Sequence, residues 1–83
     1  MRTSHALLLR MWHDAAFDFG QVTVEYVNRG APGDRSSVAG GIIAGLDRDY
    51  FTVASGTGED TPIPYHRILR ILYKGIPVWE RPA

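Results

Sequence analysis

The side chains best suited to chemistry crowd into one stretch near the end of the chain, Ile63 to Arg81. His66, Arg67, Arg70, Lys74 and Arg81 fall there among Tyr65, Tyr73 and Trp79, and from His66 onward Glu80 is the sole acidic residue. Arginine presents a planar fork of N–H donors that fits two phosphate oxygens at once. Histidine donates from one or both ring nitrogens near neutral pH, and a bound phosphate favours its charged form. A Trp or Tyr face stacks a base, a contact worth ~1–3 kcal/mol. Such residues suit a phosphate attached to a sugar and a base, and the 2′-oxygen is what separates RNA from DNA in sites of this kind.

Catalysis has less support in the same residues. The chain holds three histidines, His5, His13 and His66. A two-histidine phosphoesterase needs a second imidazole near His66; His13 is the only realistic candidate, and its spacing does not demand the role. Asp47, Asp49, Glu59 and Asp60 fall in turn-like segments and read as solubilising charges. No metal ligand set, cofactor or catalytic residue is expected, and a weak phosphoesterase using His66 as general acid or base remains the minor alternative. The glycine-rich run Arg29 to Gly33 can offer backbone N–H groups to an anion. It lacks the strand–GxxxxGK[ST]–helix layout of a P-loop.

The elements that must position these groups fit in 83 residues, read as a single domain over 1–83 near the lower limit for an unstapled core. The absence of cysteine fits a reducing cytoplasm. The apolar run Ala6 to Leu9 is too short for a signal segment or a membrane span. Nine basic residues against nine acidic argue against coating long nucleic acid, which calls for a basic domain. A local basic pocket is compatible with that balance.

Leu7, Leu8, Met11, Trp12 and Ala15 recur at helical spacing behind Ser4, which predicts an amphipathic helix over 4–15 with Ser4 as its cap. Trp12 reads as packing and His13 as a solvated helix end. Alternation of Val22, Val24 and Tyr26 with Gln21, Thr23 and Glu25 predicts a strand over 21–28. A long loop follows from Arg29 to Ser37. Further strands are expected over about 42–46, entered by a glycine bend, and over 50–54, with polar turns at 47–49 and 55–60. Ile63 to His66 is extended or a short 3₁₀ step, because residues before proline avoid the helical region. Ile68, Leu69, Ile71 and Leu72, then Lys74-Gly75, then Ile76, Val78 and Trp79 predict a closing hairpin. Pro77 makes its last strand an edge strand. The fold class is α+β: an N-terminal helix packed on a small, strongly bent antiparallel sheet or partly open barrel of about five strands.

Three segments, Glu25-Tyr-Val-Asn-Arg-Gly30, Ile63-Pro-Tyr-His-Arg-Ile68 and Val78-Trp-Glu-Arg81, resemble the signature of the RNA cyclic-group-end recognition domain family. These small domains occur alone in archaea and bacteria and fused to RNA-repair and 2H-phosphoesterase-type proteins. The resemblance covers nearly the whole chain. It implies recognition of RNA termini, in particular a 2′,3′-cyclic phosphate, in RNA repair or processing beside a repair enzyme. Carried over by position, it implies Arg29, His66, Arg67, Trp79 and Arg81 as the binding residues. Arg29 at a strand end would then converge with His66, Arg67 and Arg81, while Tyr65 or Trp79 forms the stacking platform.

Plainer roles stand beside these. Trp79 is also a core side chain, Arg70 and Lys74 are also solvated charges, and Arg29 can pair with Asp34 inside its own loop. Arg67 and Arg70, three apart on a strand, would face opposite sides. The main alternative function is a protein-interaction or homodimerisation module built on the exposed closing hairpin.

Overall fold

The computed structural model describes residues 3–56 and 58–82. One helix, α1 (Ser4–His13), precedes seven strands: β1 (Val22–Val27), β2 (Arg35–Ala39), β3 (Ile43–Leu46), β4 (Tyr50–Val53), β5 (Thr61–Pro64), β6 (Ile68–Tyr73) and β7 (Ile76–Glu80). They form two antiparallel sheets, a four-stranded one in the order β2-β1-β6-β7 and a three-stranded one in the order β3-β4-β5. The α+β class holds. The single bent sheet or open barrel of about five strands does not: neither sheet closes. Two local features explain the split. A 3₁₀ turn at Gly40–Ile42 breaks the chain between β2 and β3. Pro62 and Pro64 in β5 share one side of the strand, so its outer edge has no N–H to offer a further neighbour.

Thr3, not Ser4, caps α1: its Oγ1 accepts the Ala6 N–H at 3.1 Å, leaving Ser4 buried as the first helical residue. The helix stops at His13, two residues earlier than its pattern suggests, because Asp14 leaves the helical region and its carboxylate accepts the Ala16 N–H at 2.9 Å. Leu7, Leu8 and Met11 enter one core with Val22, Val24 and Val38 of the first sheet and Ile43, Phe51 and Ile63 of the second. Trp12 stays outside it, edge-on to Phe19 at 4.9 Å, and His13 is exposed.

The closing hairpin forms as expected. Lys74 and Gly75 have φ of 52° and 82°, so both turn residues are left-handed, as a two-residue turn between twisted strands requires. β7 is an edge strand carrying Pro77. The strand expected over 21–28 runs from Val22 to Val27, and Gln21 belongs to a preceding 3₁₀ turn. Part of the long loop expected over 29–37 is instead β2, which pairs Arg35 to Ala39 with Val27 to Thr23. Of the polar turn over 55–60, residue 57 lies outside the described residues.

Candidate functional site

The antiparallel order of the first sheet brings three chain segments to one end. The C-terminal end of β1, the entry to β6 and the exit from β7 all meet there. Asn28 and Arg29 follow β1. His66 and Arg67 lie in a 3₁₀ turn, Tyr65–Arg67, immediately before β6. Arg81 follows β7, held by its backbone N–H on the Leu69 carbonyl at 2.9 Å. Leu69 sits where the β1–β6 register slips between Glu25 and Tyr26, and such a bulge re-aims the chain beside it.

Together Val27, Asn28, Arg29, His66, Arg67 and Arg81 line a cleft of about 480 Å³. Four of the six carry cationic or titratable basic groups, and none is a carboxylate. The 29–34 loop is folded on itself: Asn28 N–H donates to the Asp34 carbonyl at 2.8 Å, and Asn28 Nδ2 donates to Ser36 Oγ at 2.9 Å. Asp34 does not neutralise Arg29. Its carboxylate accepts the Gly30 N–H at 3.4 Å, with Gly30 at a φ of 95° that favours glycine. Arg29 and Arg67 are exposed and make no ion pair among the described residues. Arg81 Nη2 donates to the His66 carbonyl, which ties Arg81 to the turn that carries His66 and Arg67.

Of the six residues singled out from the sequence, the fold thus gathers Arg29, His66, Arg67 and Arg81. Tyr65 and Trp79 are not in the cleft; both border an apolar groove that adjoins it. Tyr65 is buried, its hydroxyl donates to the Asp47 carbonyl at 2.6 Å, and burial followed by the Asp47 charge pushes its pKa up to about 12. Its ring stacks on His5 at 4.1 Å, so the phenol is a wall and not a free donor. Val27 and Asn28 are lining residues that side-chain chemistry alone does not single out; the sequence signal for them is their place in the segment Glu25 to Gly30 that carries the family resemblance.

Arg70 and Lys74 have other work. Arg70 reaches across to its register partner Glu25, with Nε on Oε1 at 2.9 Å and Nη2 on Oε2 at 3.0 Å. Arg67 precedes the strand, so the expected alternation of Arg67 and Arg70 across it does not apply; Arg67 lines the cleft and Arg70 does not. Lys74 sits at the other end of β6, about 20 Å away at strand rise, with its N–H on the Gln21 carbonyl. His13 is at the far end of α1 from Ser4, roughly 14 Å along the axis, so the helix does not deliver it to His66. No group of three or more metal-ligating side chains assembles among the described residues.

The Glu25–Arg70 pair makes a pH prediction. Its hydrogen bonds from Arg70 hold the Glu25 carboxyl below its ordinary value of 4.5, against the opposing effect of burial. A folded-state value below the unfolded one stabilises above the unfolded pKa and loses that stabilisation as pH falls through the folded value. Glu25→Gln should therefore unfold at lower urea than the parent at pH 7. The gap should narrow as pH falls from 7 to 3, as measured by circular dichroism. An equal gap at both pH values would remove the pair as its cause.

The family model described as the MJ1316 RNA cyclic group end recognition domain matches residues 1–81. A UPF0248 protein of Archaeoglobus fulgidus is 37% identical over 71 residues, spanning 86% of this chain and 93% of that protein. No solved structure matches the chain. The family match runs from before α1 through Arg81 of the cleft, and the relative aligns along most of its own length: the chain belongs to the MJ1316 RNA cyclic group end recognition domain family.

Proposed function

We propose that this protein binds the 3′ ends of RNA that carry a 2′,3′-cyclic phosphate or another terminal phosphate. Arg29, His66, Arg67 and Arg81 supply the donors. The observation that carries this reading is the gathering of three guanidinium groups and one imidazole, from three separate strand ends, around one cleft without a carboxylate. Like charges placed together cost stability unless something anionic is meant to sit among them. Arginine forks match phosphate oxygens, and none of the three guanidinium groups makes an ion pair among the described residues. A terminal phosphate is the smallest group that uses several of these donors at once. In the cell such binding would serve RNA repair or processing, with the domain delivering a marked end to a repair enzyme.

The test is a titration of short fluorescent RNAs that differ only at the 3′ terminus. The cyclic-phosphate RNA should bind with roughly micromolar or better affinity, and the 3′-hydroxyl RNA at least about tenfold more weakly, about 1.4 kcal/mol. Equal affinity for both ends would reject the reading. A second reading rests on β7, where Ile76 and Val78 are 66% and 46% exposed on a sheet edge. Such an edge can pair with another strand or a second copy. A purely monomeric sedimentation profile at the concentrations of the RNA titration would remove the self-association form of it.

A further inference from the structure

Resting on the phosphate-binding reading, we infer that the apolar groove beside the cleft seats the terminal nucleobase, so that the protein grips one nucleoside 2′,3′-cyclic phosphate as a unit. The groove measures about 830 Å³ and is walled by Tyr65, Ile68, Trp79 and Pro82, with Thr3 and Ser4 at the start of α1 and Glu80 of β7 adding polar groups at its edge. His66 and Arg81 line both spaces, so the cationic cleft and the apolar groove share a rim.

The covalent structure of the ligand matches that layout. A cyclic phosphate is fused to the ribose, and the base hangs from the opposite side of the same sugar. A phosphate held by Arg29 and Arg67 therefore carries its base one sugar away, across the shared rim. An apolar surface there removes a base face from water, while a second cationic surface would suit only another phosphate. The two aromatic walls are held in place. Trp79 is half-buried and packs against the core, and Tyr65 is clamped by His5, by Phe51 and by its bond to the Asp47 carbonyl. Surfaces fixed before binding cost little ordering when a base arrives. The Tyr65 hydroxyl is already spent, so the aromatic contribution of the groove is a π-face, and stacking on a π-face is tolerant of base identity.

The experiment uses Trp12→Phe, which leaves Trp79 as the sole indole of the two in the chain. Trp12 lies outside the groove, 39% exposed and against Phe19. Three probes are titrated by calorimetry and fluorescence: adenosine 2′,3′-cyclic phosphate, uridine 2′,3′-cyclic phosphate and methyl riboside 2′,3′-cyclic phosphate, which has no base. Both nucleotides should bind about 5- to 150-fold more tightly than the riboside, the range one stacked base contributes, and should quench Trp79 emission. Trp79→Leu, which keeps an apolar side chain against the core, should lower nucleotide affinity toward that of the riboside and leave the riboside unchanged. If the riboside binds as tightly as the nucleotides and emission does not change, the groove does not take the base, while the cleft reading survives. If no probe binds, the cleft reading fails and the groove inference falls with it.

Discussion

Alanine at both Arg29 and Arg67 is expected to cut affinity for cyclic-phosphate RNA by at least about 100-fold while leaving the fold unchanged. A hydrogen bond to a charged group contributes roughly 1.5–3 kcal/mol, so each guanidinium stands for about tenfold or more. Two that grip one phosphate are coupled, so their losses need not add in full, and the hundredfold figure is set at the low end of the product. Neither side chain supports the fold: both are exposed, and neither makes an ion pair among the described residues. Substitutions of that kind shift stability by roughly 0.5 kcal/mol at most. Arg70→Ala is the control. It removes one of the same charges, yet Arg70 is engaged by Glu25 and does not line the cleft. It should leave affinity within about twofold and lower stability instead. Calorimetry on the variants at one salt concentration separates the cases, since diffuse electrostatic attraction is salt-dependent and blind to position. If Arg70→Ala lost as much affinity as the double variant, net charge and not the cleft would be doing the binding.

The sorting of those arginines was only half legible in the sequence. The density of cations after Ile63 was plain, and so was the hairpin that carries them, because Lys74-Gly75 between two apolar runs admits few other conformations. Which cation points where depends on the slipped register near Glu25 and on the 3₁₀ turn that puts Arg67 outside β6. Neither leaves a local trace. β2 was hidden for a related reason. Arg35-Ser36-Ser37 has no apolar alternation, and Val38 is the one buried residue of the strand, so only pairing with β1 makes it a strand. β5 was hidden by its prolines, which suggest extended chain without saying that a partner lies alongside. The groove joins Tyr65 and Ile68 to the start of α1 and to Trp79, more than sixty residues apart in the chain, which no window of sequence contains.

The division into two sheets has a single-residue test at Gly40. A methyl group added there would overlap the Phe19 carbonyl oxygen and lie within 3.0 Å of the Phe19 carbonyl carbon and Cδ2. Gly40 is buried and opens the 3₁₀ turn that leads out of β2, and this turn packs against the 3₁₀ turn Phe19–Gln21 ahead of β1. The obstruction is backbone, which cannot swing aside as a flexible side chain would. Moving Phe19 also disturbs its contact with Trp12 at the end of α1. Overpacking at well-packed sites costs typically 1–3 kcal/mol and occasionally more; a backbone clash belongs at the top of that range. For a chain this size, with a total stability of about 4–12 kcal/mol, Gly40→Ala should therefore cost about 3 kcal/mol. Its melting temperature should fall by roughly 12–24 °C. Gly41→Ala is the internal comparison, because a Cβ on exposed Gly41 meets nothing within 4 Å. Alanine there removes unfolded-chain freedom at no steric cost, so stability should hold or rise by up to about 1 kcal/mol. The sequence offers two adjacent glycines with nothing to tell them apart; the fold makes one indispensable and the other replaceable. Equal melting temperatures for the two variants would mean that the Gly40 turn does not pack on Phe19 as described, and the junction between the two sheets would have to be redrawn.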